Sequence, residues 1–329
     1  LTKYPVRRSC LAAGLFIATV VAAVNIVAYR HAHAMMVFVD AGGKTPAAIH
    51  MSRGQKLLVL LTGVRLPHIV NPVTPASRQL DYSVVRIPTN DSFVEVWTIT
   101  AKSSRGNILM FHGYGASKSS LLNAAVPLHQ LGYNVTLVDF PGYGGSPGSM
   151  TTIGYREAES VKAAFDWSQS NSSGPIVLYG VSMGAASVMR VVGVLGVSPD
   201  AVILEAPFDR LSTTTGHRFV EMGLPAFPFT QLLLYWGGRI AGMDAFSHNP
   251  VEYAAHIQCP TLLMAGGKDR YVHLTETEAV FSALAGPKTL KVFDGLGHQD
   301  FSQGEPKQWR TEVALFLQRT FNRTVSGHS

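Results

Sequence analysis

The chain has 329 residues, 27 Lys and Arg against 21 Asp and Glu for a formal charge of +6, and 47% hydrophobic residues. This composition excludes a disordered, collagen-like or disulfide-scaffold protein and allows one large domain or two small ones. The basic excess lies in residues 1–80, with nine basic side chains and one acid, Asp40, while residues 81–329 hold eighteen and twenty; a nucleic-acid binder would carry its charge on the folded domain, so no nucleic-acid partner is expected.

Lys3, Arg7 and Arg8 precede a run from Cys10 to Tyr29 without a charge. As a helix this run spans ~30 Å, one hydrocarbon core. The expectation for residues 1–34 is therefore a membrane anchor through residues 10–29 or a signal peptide. The apolar run exceeds the ~7–15 residues of a usual signal core, which favours a retained single-pass anchor. The basic flank stays cytoplasmic and places the downstream chain on the extracytoplasmic side. The alternative is cleavage near Ala34, in the small-residue context Ala32-His33-Ala34, giving a secreted or periplasmic protein. Residues 35–80 read as a linker or membrane-proximal segment, with Lys56-Leu57-Leu58-Val59-Leu60-Leu61 as its apolar stretch.

From 81 to 322 the texture is that of a folded domain. Residues 82–88 and 93–99 are β-rich runs around Thr89-Asn90-Asp91-Ser92, an antiparallel hairpin. Apolar runs then alternate with helical stretches: strands at 108–111, 135–138, 176–179, 201–204, 261–264 and 289–293, helices near 118–131, 154–169, 183–195 and 308–321. Continuously apolar strands alternating with helices imply a parallel sheet covered on both faces. Residues 208–257 are too long for one crossover and read as an inserted helical cap. Phe208, Phe219, Leu224, Phe227, Phe229, Leu232, Leu233, Tyr235 and Trp236 give that cap an apolar roof.

Gly180-Val181-Ser182-Met183-Gly184 lies between the strand at 176–179 and the helix at 183–195. A serine there sits on a tight strand-to-helix turn, which glycines permit, with helix N–H groups beside it. Its hydroxyl needs a base and the base needs a carboxylate, in chain order Ser, acid, His on such a fold. Asp269, in Gly266-Gly267-Lys268-Asp269, and His298, in Gly297-His298-Gln299-Asp300, each come after a strand. Asp209 and Glu205 are second-choice acids. His112-Gly113-Tyr114-Gly115 comes directly after the strand at 108–111, so the backbone N–H groups of Tyr114 and Met183 are the candidate oxyanion donors. His112 is expected to brace that loop, while His129, His217, His248, His256 and His273 are read as structural or surface residues. Gly142-Tyr143-Gly144-Gly145-Ser146 fits no nucleotide-loop pattern and is expected to be a flexible loop at the sheet edge. Cys10 and Cys259 have neither disulfide-framework nor zinc spacing. No metal or cofactor is expected.

Together with Asp139-Phe140-Pro141-Gly142-Tyr143-Gly144-Gly145-Ser146, these motifs resemble the α/β-hydrolase superfamily, in particular its serine-aminopeptidase and monoacylglycerol-lipase-like group. The resemblance covers about residues 82–321. It implies a mostly parallel eight-stranded sheet with helices on both faces and a helical cap insertion at about 208–257. It also implies a Ser182, Asp269, His298 triad and hydrolysis of a carboxylic ester, thioester or amide through an acyl-enzyme. A lipid-like acyl ester fits the apolar roof best. Peptidase, amidase or acyltransferase chemistry on the same triad is the alternative, and a non-catalytic membrane-tethered binding protein a further one.

Overall fold

The computed structural model describes residues 5–39, 45 and 51–321; Lys3, Asp40 and the domain limit at residue 322 lie outside them. After the hairpin of β1 (Ser83–Pro88) and β2 (Phe93–Ile99), the strands are β3 (Asn107–Phe111), β4 (Asn134–Val138), β5 (Ile176–Val181), β6 (Ala201–Glu205), β7 (Thr261–Gly266) and β8 (Lys288–Phe293). They form one sheet in the order β1-β2-β4-β3-β5-β6-β7-β8. β1 and β2 pair antiparallel, as do β2 and β4; all other pairings are parallel.

Alternation along the strands feeds two cores. Leu109 and Phe111 face one side of the sheet with Val161, Val188 and Val280, while Ile108 and Met110 face the other with Leu122, Leu128 and Trp309. Successive strand side chains point to opposite faces, so a strand covered by helices on both sides has no polar position to spare. The covering helices include α3 (Leu122–Gln130), α4 (Glu157–Asn171), α5 (Met183–Gly193), α9 (Leu274–Ala283) and α11 (Pro306–Phe321); α10 (Phe301–Gly304) is a single turn. The expected helix at 118–131 is split, beginning as a 3₁₀ turn over Lys118–Leu121. Its entry is fixed by Asp139, whose Oδ1 accepts the Lys118 N–H at 2.8 Å.

Residues 208–257 contain α6 (Leu211–Glu221), α7 (Phe229–Ala241) and α8 (Pro250–Ala254). At the other end of the chain, α1 (Pro5–Met36) is a single helix of 32 residues that packs against α7. Cys10–Met36 is long and apolar enough to cross a membrane. α2 (Arg53–Thr62) comes next, started by a capping box of Ser52 and Gln55. The segment between α2 and the hairpin docks on the loop after β4: Gly144 donates to the Ile69 carbonyl at 2.6 Å and Asn71 Nδ2 to Asp139 Oδ2 at 2.8 Å.

That docking corrects one expectation. The loop at residues 142–146 is neither at a sheet edge nor loose, since β4 lies inside the sheet and Tyr143 and Ser146 are buried. Asp139 organises it, accepting from Gly145 N–H at 2.9 Å, while Lys118 Nζ lies 2.5 Å from Asp139 Oδ2 and 2.9 Å from Glu95 Oε1. A buried cation between two carboxylates holds the loop, and the Gly-rich spelling hides it.

Candidate active site

Ser182 stands between β5 and α5 at φ 50°, ψ −109°, a conformation L side chains rarely adopt. The turn is closed by its neighbours. Its N–H donates to the Glu205 carbonyl at 2.8 Å; a Cβ on Gly180 would lie 2.5 Å from the Gly184 carbonyl, and one on Gly184 would collide with the Phe111 carbonyl. The glycines are thus required by close backbone approach, and the turn leaves Ser182 lining a cavity.

Asp269 and His298 arrive in loops after β7 and β8, the last two strands at that end of the sheet. The His298 Nε2 is 3.0 Å from Ser182 Oγ, and its Nδ1 is 2.6 Å from Asp269 Oδ2. The other Asp269 oxygen accepts the N–H groups of Tyr271 and Val272 at 2.8 and 2.9 Å. Asp269 is buried and His298 partly open, so the carboxylate is fixed and the imidazole can reach a ligand. Such a chain lets a hydroxyl lose its proton to an imidazole oriented by a carboxylate.

The second-choice acids are engaged elsewhere. Asp209 takes the Arg210 guanidinium at 2.9 Å. Glu205 is buried beneath Ser182, bonded to the Tyr179 hydroxyl and to Trp309 Nε1; burial pushes it up to about 7, partly offset by those two donors.

His112 is buried in the loop after β3. Its Nε2 accepts the Phe140 N–H at 3.2 Å and its Nδ1 lies 2.9 Å from the Gly113 carbonyl, while burial lowers its pKa and keeps it neutral. Gly113 backs directly onto Ser182, where an added Cβ would lie 3.6 Å from the serine Cβ. Tyr114 is next, at the wall of the cavity. Met183 opens α5, where helix N–H groups have no partner within the helix.

Ser182 and His298 line a cavity of about 620 Å³. Its walls come from α6 and the residue after it (Phe219, Met222), from α7 (Leu233), from the segment before the hairpin (Val59, Leu66) and from α1 (His31, Met35). The expected roof is corrected in part. Phe208 packs on buried His248, Trp236 turns to α1, and Phe227 and Tyr235 are 73% and 51% exposed. α6 and α7 carry apolar residues on several faces, and of the expected roof Phe219 and Leu233 line the cavity. The walls from α1 and from Met51, Val59 and Leu66 have no signal in the sequence, because they lie far from the motifs in the chain.

His217, His273 and Glu276 also converge, their ligand atoms lying within 4.8 Å of one another. The imidazoles are stacked with centroids 3.8 Å apart, and His217 Nδ1 is 3.1 Å from Glu276 Oε1. Burial and the adjoining Asp209 push Glu276 up to about 8.

The chain matches the alpha/beta hydrolase family over residues 108–312. An uncharacterised protein of Mycobacterium tuberculosis (strain H37Rv) is 32% identical over 225 residues, which span 67% of this chain and 73% of the relative. The lysophosphatidylserine lipase ABHD12 of Macaca fascicularis is 24% identical over 276 residues, 73% of this chain and 66% of that protein. Among solved structures, an esterase of Pyrococcus furiosus is similar with a TM-score of 0.66 at 27% identity, covering 77% of this chain and 96% of the esterase. The motifs, the strand order and these relatives agree: the chain belongs to the alpha/beta hydrolase family.

Proposed function

We propose that the chain is a membrane-anchored serine hydrolase that cleaves the carboxylic ester of a single-chain acyl lipid through an acyl-enzyme. The observation that carries this reading is the continuous relay from Ser182 Oγ to His298 to Asp269, at 3.0 and 2.6 Å, opening into the 620 Å³ cavity. Ser182 Oγ attacks the ester carbonyl while His298 Nε2 takes its proton. The resulting oxyanion is held by the N–H groups of Tyr114 and Met183. His298 returns the proton to the leaving alcohol as the C–O bond breaks. A water then attacks the acyl-enzyme, giving its proton to His298, and the carboxylic acid leaves as Ser182 is reprotonated. Asp269 stays ionised and fixes the imidazole tautomer.

The apolar cavity walls suit an acyl chain, and the names of two relatives, a lysophosphatidylserine lipase and an esterase, support ester cleavage. The carboxylic-ester reading is preferred to amide cleavage on that basis. The apolar length of α1 supports a retained anchor, with the hydrolase domain on the extracytoplasmic side. The test is labelling of the full-length protein by a fluorophosphonate probe. Labelling of wild type that vanishes in Ser182→Ala and falls sharply in His298→Ala is expected; a folded wild type that does not label overturns the mechanism.

A further inference from the structure

The helix that serves as anchor in this reading also reaches the reaction centre. Along α1 the exposure changes abruptly: Leu11, Leu15 and Phe16 are 70% exposed or more, whereas His31, Ala32 and Met36 are buried. The last four carbonyls of a helix have no partner within it. Here the domain takes two of them. Met36 O accepts from the Thr151 N–H at 2.8 Å, and Met35 O accepts from the Tyr114 hydroxyl at 2.6 Å. Tyr114 is the residue whose own N–H is the proposed oxyanion donor. Its ring is held from the N-terminal helix, and the residue before it, Gly113, backs directly onto Ser182. Burial pushes the phenol up to about 12, so it remains a donor throughout the neutral range. Higher on the helix, Trp236 Nε1 of α7 donates to Asn25 Oδ1 at 3.2 Å and packs edge-on to Tyr29. His31 and Met35 line the same cavity as Ser182.

We propose that the last two turns of α1 are a positioning element of the active site: the Met35 carbonyl holds Tyr114, and with it the oxyanion loop, so turnover requires the helix to be retained rather than cleaved after Ala34. This rests on the serine-hydrolase reading. Cleavage there would leave Met35 at a free N-terminus without the helix that aims its carbonyl, and would remove His31 from the cavity wall. Tyr114 thus has two parts: an N–H that faces the reacting carbonyl and a hydroxyl that acts only by holding that N–H in place. A misplacement of about 1 Å in such a donor costs up to ~10²-fold in rate.

The test is a double-mutant cycle on the full-length protein in lipid nanodiscs, with a p-nitrophenyl acetate substrate too short to reach α1. Tyr114→Phe deletes only the hydroxyl. Ala32→Trp forces α1 off α7, because the space beside Ala32 is only about 40 Å³. Each is expected to lower kcat by roughly 10–100-fold with little change in KM, and the double variant to be no slower than the slower single, because both break one tie. Wild-type kcat in Tyr114→Phe, or effects that multiply in the double variant, overturn the proposal. If Ala32→Trp does not fold, Tyr114→Phe alone decides, with a split in kcat but not KM as the signature. Mature, fully active protein whose mass shows cleavage before Met35 also overturns it. Fluorophosphonate labelling of wild type separates the two readings: labelled wild type with unaffected variants removes only the role of α1, whereas unlabelled wild type removes the hydrolase and this role together.

Discussion

At Asp269 the two carboxylate oxygens have different tasks: Oδ1 is filled by two backbone N–H groups and Oδ2 faces His298. In Asp269→Asn the amide oxygen satisfies the N–H pair and the NH₂ turns to His298 Nδ1. That holds the imidazole with its proton on Nε2, where it cannot receive one from Ser182. kcat for an ester should fall by about 10³–10⁴ with the melting temperature nearly unchanged, measured by turnover and by scanning calorimetry on the same preparation. Glu205 tests burial instead. Its carboxyl is raised from an ordinary 4.5 to about 7, chiefly by desolvation. Between those values the folded protein keeps a proton that the unfolded chain has released, so this group's contribution to stability falls as pH rises through that window and is level above it. A glutamine accepts the same two hydrogen bonds without a charge. Glu205→Gln should therefore melt higher than wild type at pH 8, with the difference shrinking toward pH 5.

Between elements, Lys118 is an electrostatic joint, its side chain fully buried between Asp139 and Glu95 and lying over Trp97. Removing the cation leaves two carboxylates in place without it. Lys118→Met should cost about 3–5 kcal/mol in denaturant unfolding, whereas Lys162→Met, which breaks an exposed pair with Asp166, should cost under ~0.5 kcal/mol. The same joint marks which features are legible in the chain and which are hidden. The buried strands announce themselves, because a continuous apolar run such as residues 108–111 has few other places to go in a fold of this kind. The turn at Ser182 is legible for a local reason: both glycines and the serine lie within five residues. Asp269 and His298 are legible because each comes after a strand whose neighbour in the sheet is implied by the fold. Lys118, Glu95 and Asp139 come from three separate segments, and nothing near any one of them in sequence calls for the others. For that reason the loop at 142–146 reads as loose when it is bolted down. α9 escapes a reading by apolar periodicity because its buried positions, Glu276, Thr277 and Val280, include only one apolar residue.

On the scale of the whole molecule, the cavity is where chain segments far apart in sequence meet, and its shape sets which acyl chains fit. The walls from α1, from the segment after α2 and from α7 are apolar near Met35, Leu66 and Leu233, so a chain entering from Ser182 trades water for hydrocarbon contact along its length. Each buried methylene is worth about 0.8 kcal/mol, roughly fourfold in kcat/KM. A series of p-nitrophenyl esters should therefore gain steadily with chain length until the cavity is filled, and then lose. Met222, just after α6, lines this cavity and not the smaller space beside Ala32 and Met36. Met222→Trp narrows the cavity while leaving Ser182, Asp269 and His298 unchanged. Its optimum should move to shorter chains by several carbons while kcat/KM for the acetyl ester stays within about twofold of wild type. An unchanged optimum would place the acyl chain along another wall, and loss of the acetyl activity as well would mean that the cap and the reaction centre do not act independently.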